Sequence, residues 1–395
     1  MASESLTLVV NPGSASRKYA VFANGYEWAN INFEFVDGKV FGKIEHAGQQ
    51  YSKTYEDIDL SSVSGYVMPL LRERQVIDDT DEVKVIGIRI VAPGKRFMQD
   101  ELITPEIEVI MRQTQLIVPL HITTELLEIK QLRQNFPGVP IISVSDSEFH
   151  ATKYPWAWHY GIDVKLADKL DIRRYGYHGI SVGSIVRDLD SKGILLPKTI
   201  ICHLGSGSSV TAVLNGKSVD TTMGYTPLEG LVMASRSGNI DVSAALTIKR
   251  ALRFNDEELE QYLNQNSGLL GISGSSNDIR QLIESEQNGD EMAALALKLF
   301  VYRIQQSIGQ AAASLGGIDC LVLTATISER SSIIRSRILD NLEFLGFNYD
   351  HNINDQTFEP ADAVNIASEY SKPIIIISTD EAAEIARRAE NYKIS

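Results

Sequence analysis

The sequence predicts an α/β protein built from two similar domains, and three observations carry that reading. The chain has 395 residues, whereas single hydrophobic cores stop growing at roughly 250–300, so two domains are the default. Its composition, 44% hydrophobic and 22% charged with a mean hydropathy of -0.08, is that of a globular chain without long disorder. One strand–turn–strand pattern also occurs twice, once in each half.

The elements follow in chain order. Leu6–Val10 reads as a buried strand and Arg17–Phe22 as a second, closed by the turn pair Asn24-Gly25. Residues 28–50 alternate and predict further strands. Val83–Val91 is β-branched and reads as a central strand. Thr104–Gln115 and Ile122–Asn135 have helical spacing, and Pro140–Val144 is a short strand leading to Asp146. Strands come first and then alternate with helices, which argues for α/β layers. The second half restarts: Thr199–His203 and Ser209–Leu214 read as strands closed by Asn215-Gly216. Asp241–Leu252, Glu257–Asn264 and Met292–Leu315 read as helices. Cys320–Thr324 and Ile374–Ile377 are short buried strands, and Glu381–Asn391 is a final helix. The predicted lobes are 1–150, joined by the C-terminal helix 382–395, and 151–381.

In the first copy of the repeat, Leu6–Val10 meets Asn11-Pro-Gly-Ser-Ala-Ser16. In the second, Thr199–Cys202 meets His203-Leu-Gly-Ser-Gly-Ser208. Each turn has Gly third and Ser fourth and sixth. Such turns aim backbone N–H groups and hydroxyls at one point, which makes an anion nest. Gly there allows close approach of a phosphate. The pairing suggests two domains that each offer one loop to a phosphate.

Bulk charge narrows the partners. The formal net charge is -14 and the pI about 5.0, a field that repels nucleic acid and anionic membrane. Local Arg side chains and backbone N–H groups still suit an anionic small substrate. Cys202 and Cys320 lie in apolar runs and read as buried thiols in a reducing compartment. No signal peptide or membrane span is read, so a cytoplasmic location is expected.

Several polar residues interrupt apolar runs. Arg89 inside Val83–Val91 reads either as an ion pair with a nearby carboxylate or as a fork for carboxylate or phosphate. Asp146 stands at a strand's carboxyl end, where α/β sites collect, or caps a helix. His121 and His178, taken singly, read as structural. Arg236 lies in Ser235–Asn239, a polar segment that reads as flexible. Several Ser and His residues raise a hydrolase reading, but there is no GxSxG elbow and no supported triad.

Together these motifs resemble the acetate kinase family, within the sugar kinase, heat-shock ATPase and actin superfamily. The resemblance rests on Asn11-Pro-Gly-Ser-Ala-Ser16, Ile88-Arg-Ile-Val91, Val118-Pro-Leu-His121, Ser145-Asp-Ser-Glu-Phe-His150 and Arg174-Tyr-Gly-Tyr-His-Gly-Ile-Ser181. It continues through residues 201–209, 221–230, 235–238, 267–274 and 378–381. It implies a duplicated two-lobed actin-like ATPase (ribonuclease H-like) fold, a homodimer, and reversible phosphoryl transfer between ATP and acetate with magnesium. Arg89 and Arg236 would then hold the acyl carboxylate and the moving phosphoryl, and His178 would stabilise the transition state. Asn11, Asp146 and Glu381 would anchor magnesium. Val91, Leu120, Tyr177 and Pro227 match the acyl pocket, with His121 beside it. The donor side would take Lys18, His203, Gly205, Ser206, Gly207, the segment Asp278-Ile279-Arg280, and Thr326-Ile327-Ser328-Glu329-Arg330.

Departures from the family pattern are Ile88, Ala92-Pro-Gly94, Ser206 for Asn, Tyr177 for Phe, and Thr326–Arg330 for Gly-Ile-Gly-Glu-Asn. The last adds two Cβ atoms and a cation on the adenine side. It opens the donor to ATP, another nucleotide or pyrophosphate. Propionate or butyrate kinase, or a non-catalytic ligand-binding relative, are the alternatives.

Overall fold

The computed structural model describes residues 5–13, 16–36, 38–56 and 58–393, without the side chain of Leu120. The chain forms two compact units, Met1–Glu148 with Asp380–Ser395, and Phe149–Thr379. Glu381, expected at the end of the second lobe, belongs to the first unit. The reason is local: the Asp380 side chain accepts the Ala383 N–H at 2.8 Å and starts the last helix there.

The first unit is an eight-stranded sheet ordered β5-β4-β3-β2-β1-β6-β8-β7. Its strands are β1 (Ser5–Pro12), β2 (Ser16–Ala23), β3 (Tyr26–Val36), β4 (Lys39–His46), β5 (Gln49–Tyr55), β6 (Glu82–Ile90), β7 (Glu101–Leu102) and β8 (Ile141–Ser145). The β2–β3 hairpin turns at Asn24 and Gly25, both at positive φ (54° and 79°), as Asn-Gly turns require. β1 runs parallel to β6, and β6 parallel to β8. The register pairs Val10 with Ile88, which sets Asn11 beside Arg89 at the carboxyl ends of adjacent strands.

Alternation sends Leu6, Leu8, Val10, Ile86, Ile88 and Ile90 to one core. The helices α1 (Ser64–Glu73), α2 (Pro105–Thr114) and α3 (Pro119–Asn135) cover that face, α3 through Ile122, Leu126, Ile129 and Leu132. Gly87 faces the other way. A Cβ there would stand 2.8 Å from Ile385 Cγ2 and 2.9 Å from Ala389 Cβ, side chains of the final helix.

The second unit repeats the plan with six strands ordered β11-β10-β9-β12-β14-β13. These are β9 (Lys198–Leu204), β10 (Ser208–Leu214), β11 (Lys217–Thr221), β12 (Cys320–Thr324), β13 (Val364–Asn365) and β14 (Ile374–Ile376). Its helices are α4 (Pro155–Trp158), α5 (Val164–Leu170), α6 (Gly179–Ser191), α7 (Val242–Leu252), α8 (Asp256–Gln265), α9 (Gly268–Ser273) and α10 (Ile279–Gln287). They continue with α11 (Glu291–Leu315), α12 (Thr326–Arg330), α13 (Ser332–Leu339) and α14 (His351–Gln356). The last helix, α15 (Glu381–Asn391), closes the first unit. β9 and β12 are parallel and pair His203 with Thr324, the counterpart of Asn11 beside Arg89.

Cys202 and Cys320 are free and buried, and burial pushes the Cys320 thiol up to about 12. Among the described residues no helix is long and apolar enough to cross a membrane.

Candidate active site

In the first unit four polar side chains meet. Arg89 Nη2 donates to Asp146 Oδ2 at 3.0 Å, and its Nη1 lies 3.4 Å from Asn11 Oδ1 and 3.7 Å from Glu381 Oε2. Asn11 Nδ2 donates to Glu381 Oε2 at 3.2 Å. Burial opposes charge on Arg89, but the Asp146 and Glu381 carboxylates outweigh it and raise its pKa. Of the two readings of Arg89, the ion pair is the one the structure shows, with Asp146 and Glu381 as partners. Asp146 is almost wholly buried, and its N–H donates to Ile90 O at 3.0 Å.

The oxygens of Asn11, Asp146 and Glu381 form a hard-donor set on one guanidinium. Two carboxylates and an amide suit a magnesium ion that keeps most of its waters. Lys18 lies on β2 in register with Asn11 and is exposed.

Val91 is buried just past β6. Its N–H donates to Glu125 Oε1 at 2.8 Å. Glu125 is 2% exposed, its Oε2 has no partner, and burial pushes its pKa up to about 8 against the pull of Val91 N–H and Arg89. Leu120 and His121 occupy the first turn of α3, with His121 half-buried; the Leu120 side chain lies outside the described residues.

The second unit gathers His178, His203, Gly207 and Arg236. His178 starts α6 in the left-handed region (φ 61°, ψ 20°), a conformation uncommon outside glycine and frequent at functional positions. Its Nδ1 bonds Ser209 Oγ at 3.0 Å, and its ring stacks on His203 with centroids 4.1 Å apart. His203 Nδ1 bonds Ser181 Oγ at 2.7 Å. Both bonds leave the Nε2 edges facing the turn. A Cβ on Gly207 would lie 3.0 Å from His178 Nε2 and 3.5 Å from Arg236 Nη1, so glycine keeps that space open.

The turn closes through the Gly205 N–H, which donates to Gly207 O at 3.0 Å; Ser206 is its exposed tip. The Arg236 segment is not the flexible stretch expected. Backbone bonds Met233 N to Arg236 O (3.1 Å) and Ser267 N to Ser235 O (3.0 Å) fix it. Arg236 Nη1 reaches Pro227 O at 3.3 Å, and Pro227 is buried. Tyr177 is also buried, and its hydroxyl donates to Tyr225 O at 2.7 Å. The hydroxyl gained relative to Phe is thus consumed locally.

The adenine-side departures look different in three dimensions. Residues 326–330, expected as a loop, form the short helix α12. Ala325 before it holds φ 69° and ψ 167°, a region that is nearly glycine-only. Ser328 is fully buried with an unpartnered Oγ, whereas Thr326 is exposed. Ile327 packs against the core and Glu329 accepts from Ser378 Oγ at 3.0 Å. Arg330 Nε donates to Glu359 at 2.7 Å, so its charge is committed to a carboxylate. Asp278 caps α10 and pairs with the exposed Arg280 at 2.6 Å. The Ile279 side chain is in the core, so it anchors that helix rather than facing a ligand.

Sequence reading missed Ser181, Ser209, Glu125 and Arg335. The last is wholly buried and donates from Nη1 to Ser328 O at 2.7 Å, tying down α12. The two serines lay inside quoted motifs. The apolar spacing of α3 marked Glu125 as facing the core.

A model described as the acetokinase family matches residues 6–387. The acetate kinase of Thermoanaerobacterium thermosaccharolyticum is 36% identical over 403 residues, covering 97% of this chain and 98% of its own. That of Caldicellulosiruptor bescii is 36% identical over 393 residues, covering 97% and 98%. Among solved structures, a propionate kinase from Francisella tularensis aligns with a TM-score of 0.89 at 32% identity, over 98% of this chain and 99% of its own. Porphyromonas gingivalis acetate kinase aligns at 0.85 and 28%, over 98% and 99%. Agreement of this length in sequence and fold means that the chain belongs to the acetokinase family, as a carboxyl-directed phosphotransferase on the two-lobed actin-like ATPase fold.

Proposed function

We propose that the protein is an acetate kinase that moves a phosphoryl group reversibly between ATP and acetate, with acetyl phosphate as the acyl product. The observation that carries this is the Asn11–Arg89–Asp146–Glu381 cluster at the carboxyl ends of parallel strands. Phosphoryl transfer asks little covalent chemistry of a protein; it asks for positioning and for charge neutralisation. Arg89 and Arg236 supply guanidinium forks for the acyl carboxylate and the phosphoryl oxygens. His178, held by Ser209, donates toward the transferring group. Asn11, Asp146 and Glu381 hold magnesium, which when bound offsets phosphate charge.

Val91, Leu120, Tyr177 and Pro227 accommodate the acyl methyl, with His121 beside them. The 1–150 lobe, with Glu381 and helix 382–395, serves the acid, the metal and the moving phosphoryl, and the rest of the 151–381 lobe serves the remainder of the donor. For the donor phosphates, the second lobe offers the turn residues His203, Gly205, Ser206 and Gly207, and the first lobe offers Lys18. Asp278–Arg280 and Thr326–Arg330 flank the adenosine.

ATP is the favoured donor because two of the three adenine-side departures are spent internally. Ser328 is buried and Arg330 is paired with Glu359. Thr326 and Arg330 are both exposed, the second with its charge held by Glu359. Free buried cysteines support a reducing cytoplasm. The protein is further proposed to act as a homodimer.

Hydroxamate trapping of the acyl phosphate, run across ATP, GTP and pyrophosphate with acetate, propionate and butyrate, tests this. ATP with acetate should give the highest turnover, and Arg89→Ala should lose about 100-fold or more while staying folded. Turnover with pyrophosphate alone would reject the donor. A folded protein inactive with every pair would be a ligand-binding relative.

A further inference from the structure

A loop that grips phosphate with its N–H groups presents carbonyl oxygens on its back, and these need partners as well. In the first unit one guanidinium supplies them. Arg17 Nη1 donates to Gly13 O and, at 3.1 Å, to Ser16 O, the two ends of the turn. Ser16 O also accepts the Gly13 N–H at 2.9 Å. Arg17 Nε donates to Glu128 Oε2 at 3.2 Å, and the Tyr19 hydroxyl donates to Glu128 Oε1 at 2.6 Å. Arg17, Tyr19 and Glu128 are 5%, 1% and 1% exposed.

Glu128 stands on α3, the helix that starts with Pro119-Leu120-His121. One turn before Glu128, Glu125 takes the Val91 N–H. One helix therefore grips both the chain beyond Arg89 and, through Arg17, the phosphate turn.

Stability alone is a poor reason for this pair. A buried ion pair is often replaceable by apolar side chains at no loss, because desolvation offsets its attraction. Tyr19 is itself part of the apolar core and would pack without Glu128. What apolar residues cannot supply is the grip on two loop carbonyls.

We propose that Arg17 and Glu128 are positioning residues for phosphoryl transfer. Glu128 orients the guanidinium, and the guanidinium holds the Gly13 and Ser16 carbonyls, keeping Asn11 in register with Arg89. This rests on reading that turn as part of the phosphoryl site.

The test compares Asn11→Ala, Arg17→Lys and the double variant Arg17→Met/Glu128→Leu in the full chain, with kcat, both KM values and the thermal midpoint measured. The double variant should stay folded with a lowered midpoint, because the Tyr19 hydroxyl and the two carbonyls lose a partner. Its kcat should fall by about tenfold or more and its KM for the phosphate donor rise, with the acetate KM unchanged, a split that general loosening would not give. Arg17→Lys keeps the charge but lacks the fork, and should show the same split more weakly. Full kcat in the folded double variant, with Asn11→Ala inactive, overturns the strut alone. An active Asn11→Ala overturns the site reading and the strut with it. If the double variant does not fold, wild-type kinetics in Arg17→Lys overturn the strut.

Discussion

At Glu125 burial opposes ionisation more strongly than its neighbours favour it. The Val91 N–H and Arg89 pull the pKa down, Asp146 pushes it up, and desolvation dominates, leaving it at about 8 against an ordinary 4.5. The sign of the consequence follows. Between those two values the unfolded chain has released the proton and the folded chain keeps it. Folding stability is therefore fully present below about pH 4.5 and is lost as the pH rises through about 8. Glu125→Gln retains an acceptor for Val91 and cannot ionise. Its stability relative to the natural chain should improve from pH 5 to pH 8, by on the order of 1–3 kcal/mol. Urea midpoints at the two pH values check this, and an equal difference at both would show that Glu125 does not carry the effect.

At the scale of elements, β6 and α15 are tied by what β6 lacks. Gly87 leaves room for Ile385 and Ala389, and Arg89, two residues on and on the same face, reaches Glu381 at the helix start. Gly87→Ala would drive a methyl into side chains less than 3 Å away. It should cost on the order of 1–3 kcal/mol by overpacking and lower turnover by shifting Glu381 from Arg89. An unchanged thermal midpoint would mean that α15 docks without needing the gap.

Much at this scale was legible in the sequence. β1, β2 and β6, the Asn24-Gly25 turn and α15 follow from alternation, β-branching and turn chemistry. Other elements were hidden for identifiable reasons. In α6 the small residues Gly179, Ser181, Gly183 and Ser184 dilute the helical period of Ile180, Ile185 and Leu189. α12 was expected as a loop because the family has glycines there, yet with none present the segment closes a helical turn. Glu125 and Glu128 fall on the apolar face of α3 by spacing, but a pattern does not tell which backbone group a buried carboxylate will hold. Arg335, in contact with Ser328 and Asn354, depends on tertiary placement alone.

At the scale of the molecule, the internal repeat was legible because each copy puts its polar turn after an equivalent strand. The same duplication leaves surface unaccounted for in the second unit. α7 is capped by Asp241, yet none of its eleven residues is buried. Short helices draw most of their stability from packing an apolar face, so such a helix calls for a partner. Its Val242 is 73% exposed, and elsewhere in that unit Trp156 is 77% exposed. On α7 Leu246 and Leu252 join Val242, at 39% and 52% exposed, and apolar side chains gathered on one helix mark an association surface as scattered ones do not. The proposed second copy of the chain would bury them, because obligate homodimer interfaces are apolar in this way. Light scattering should give twice the chain mass for the natural protein. Val242→Glu with Leu246→Glu should give a folded monomer, since burying two like charges at such a surface is costly. A natural protein that stays monomeric at all concentrations would assign α7 another partner, and a double variant that stays dimeric would place the interface on other residues.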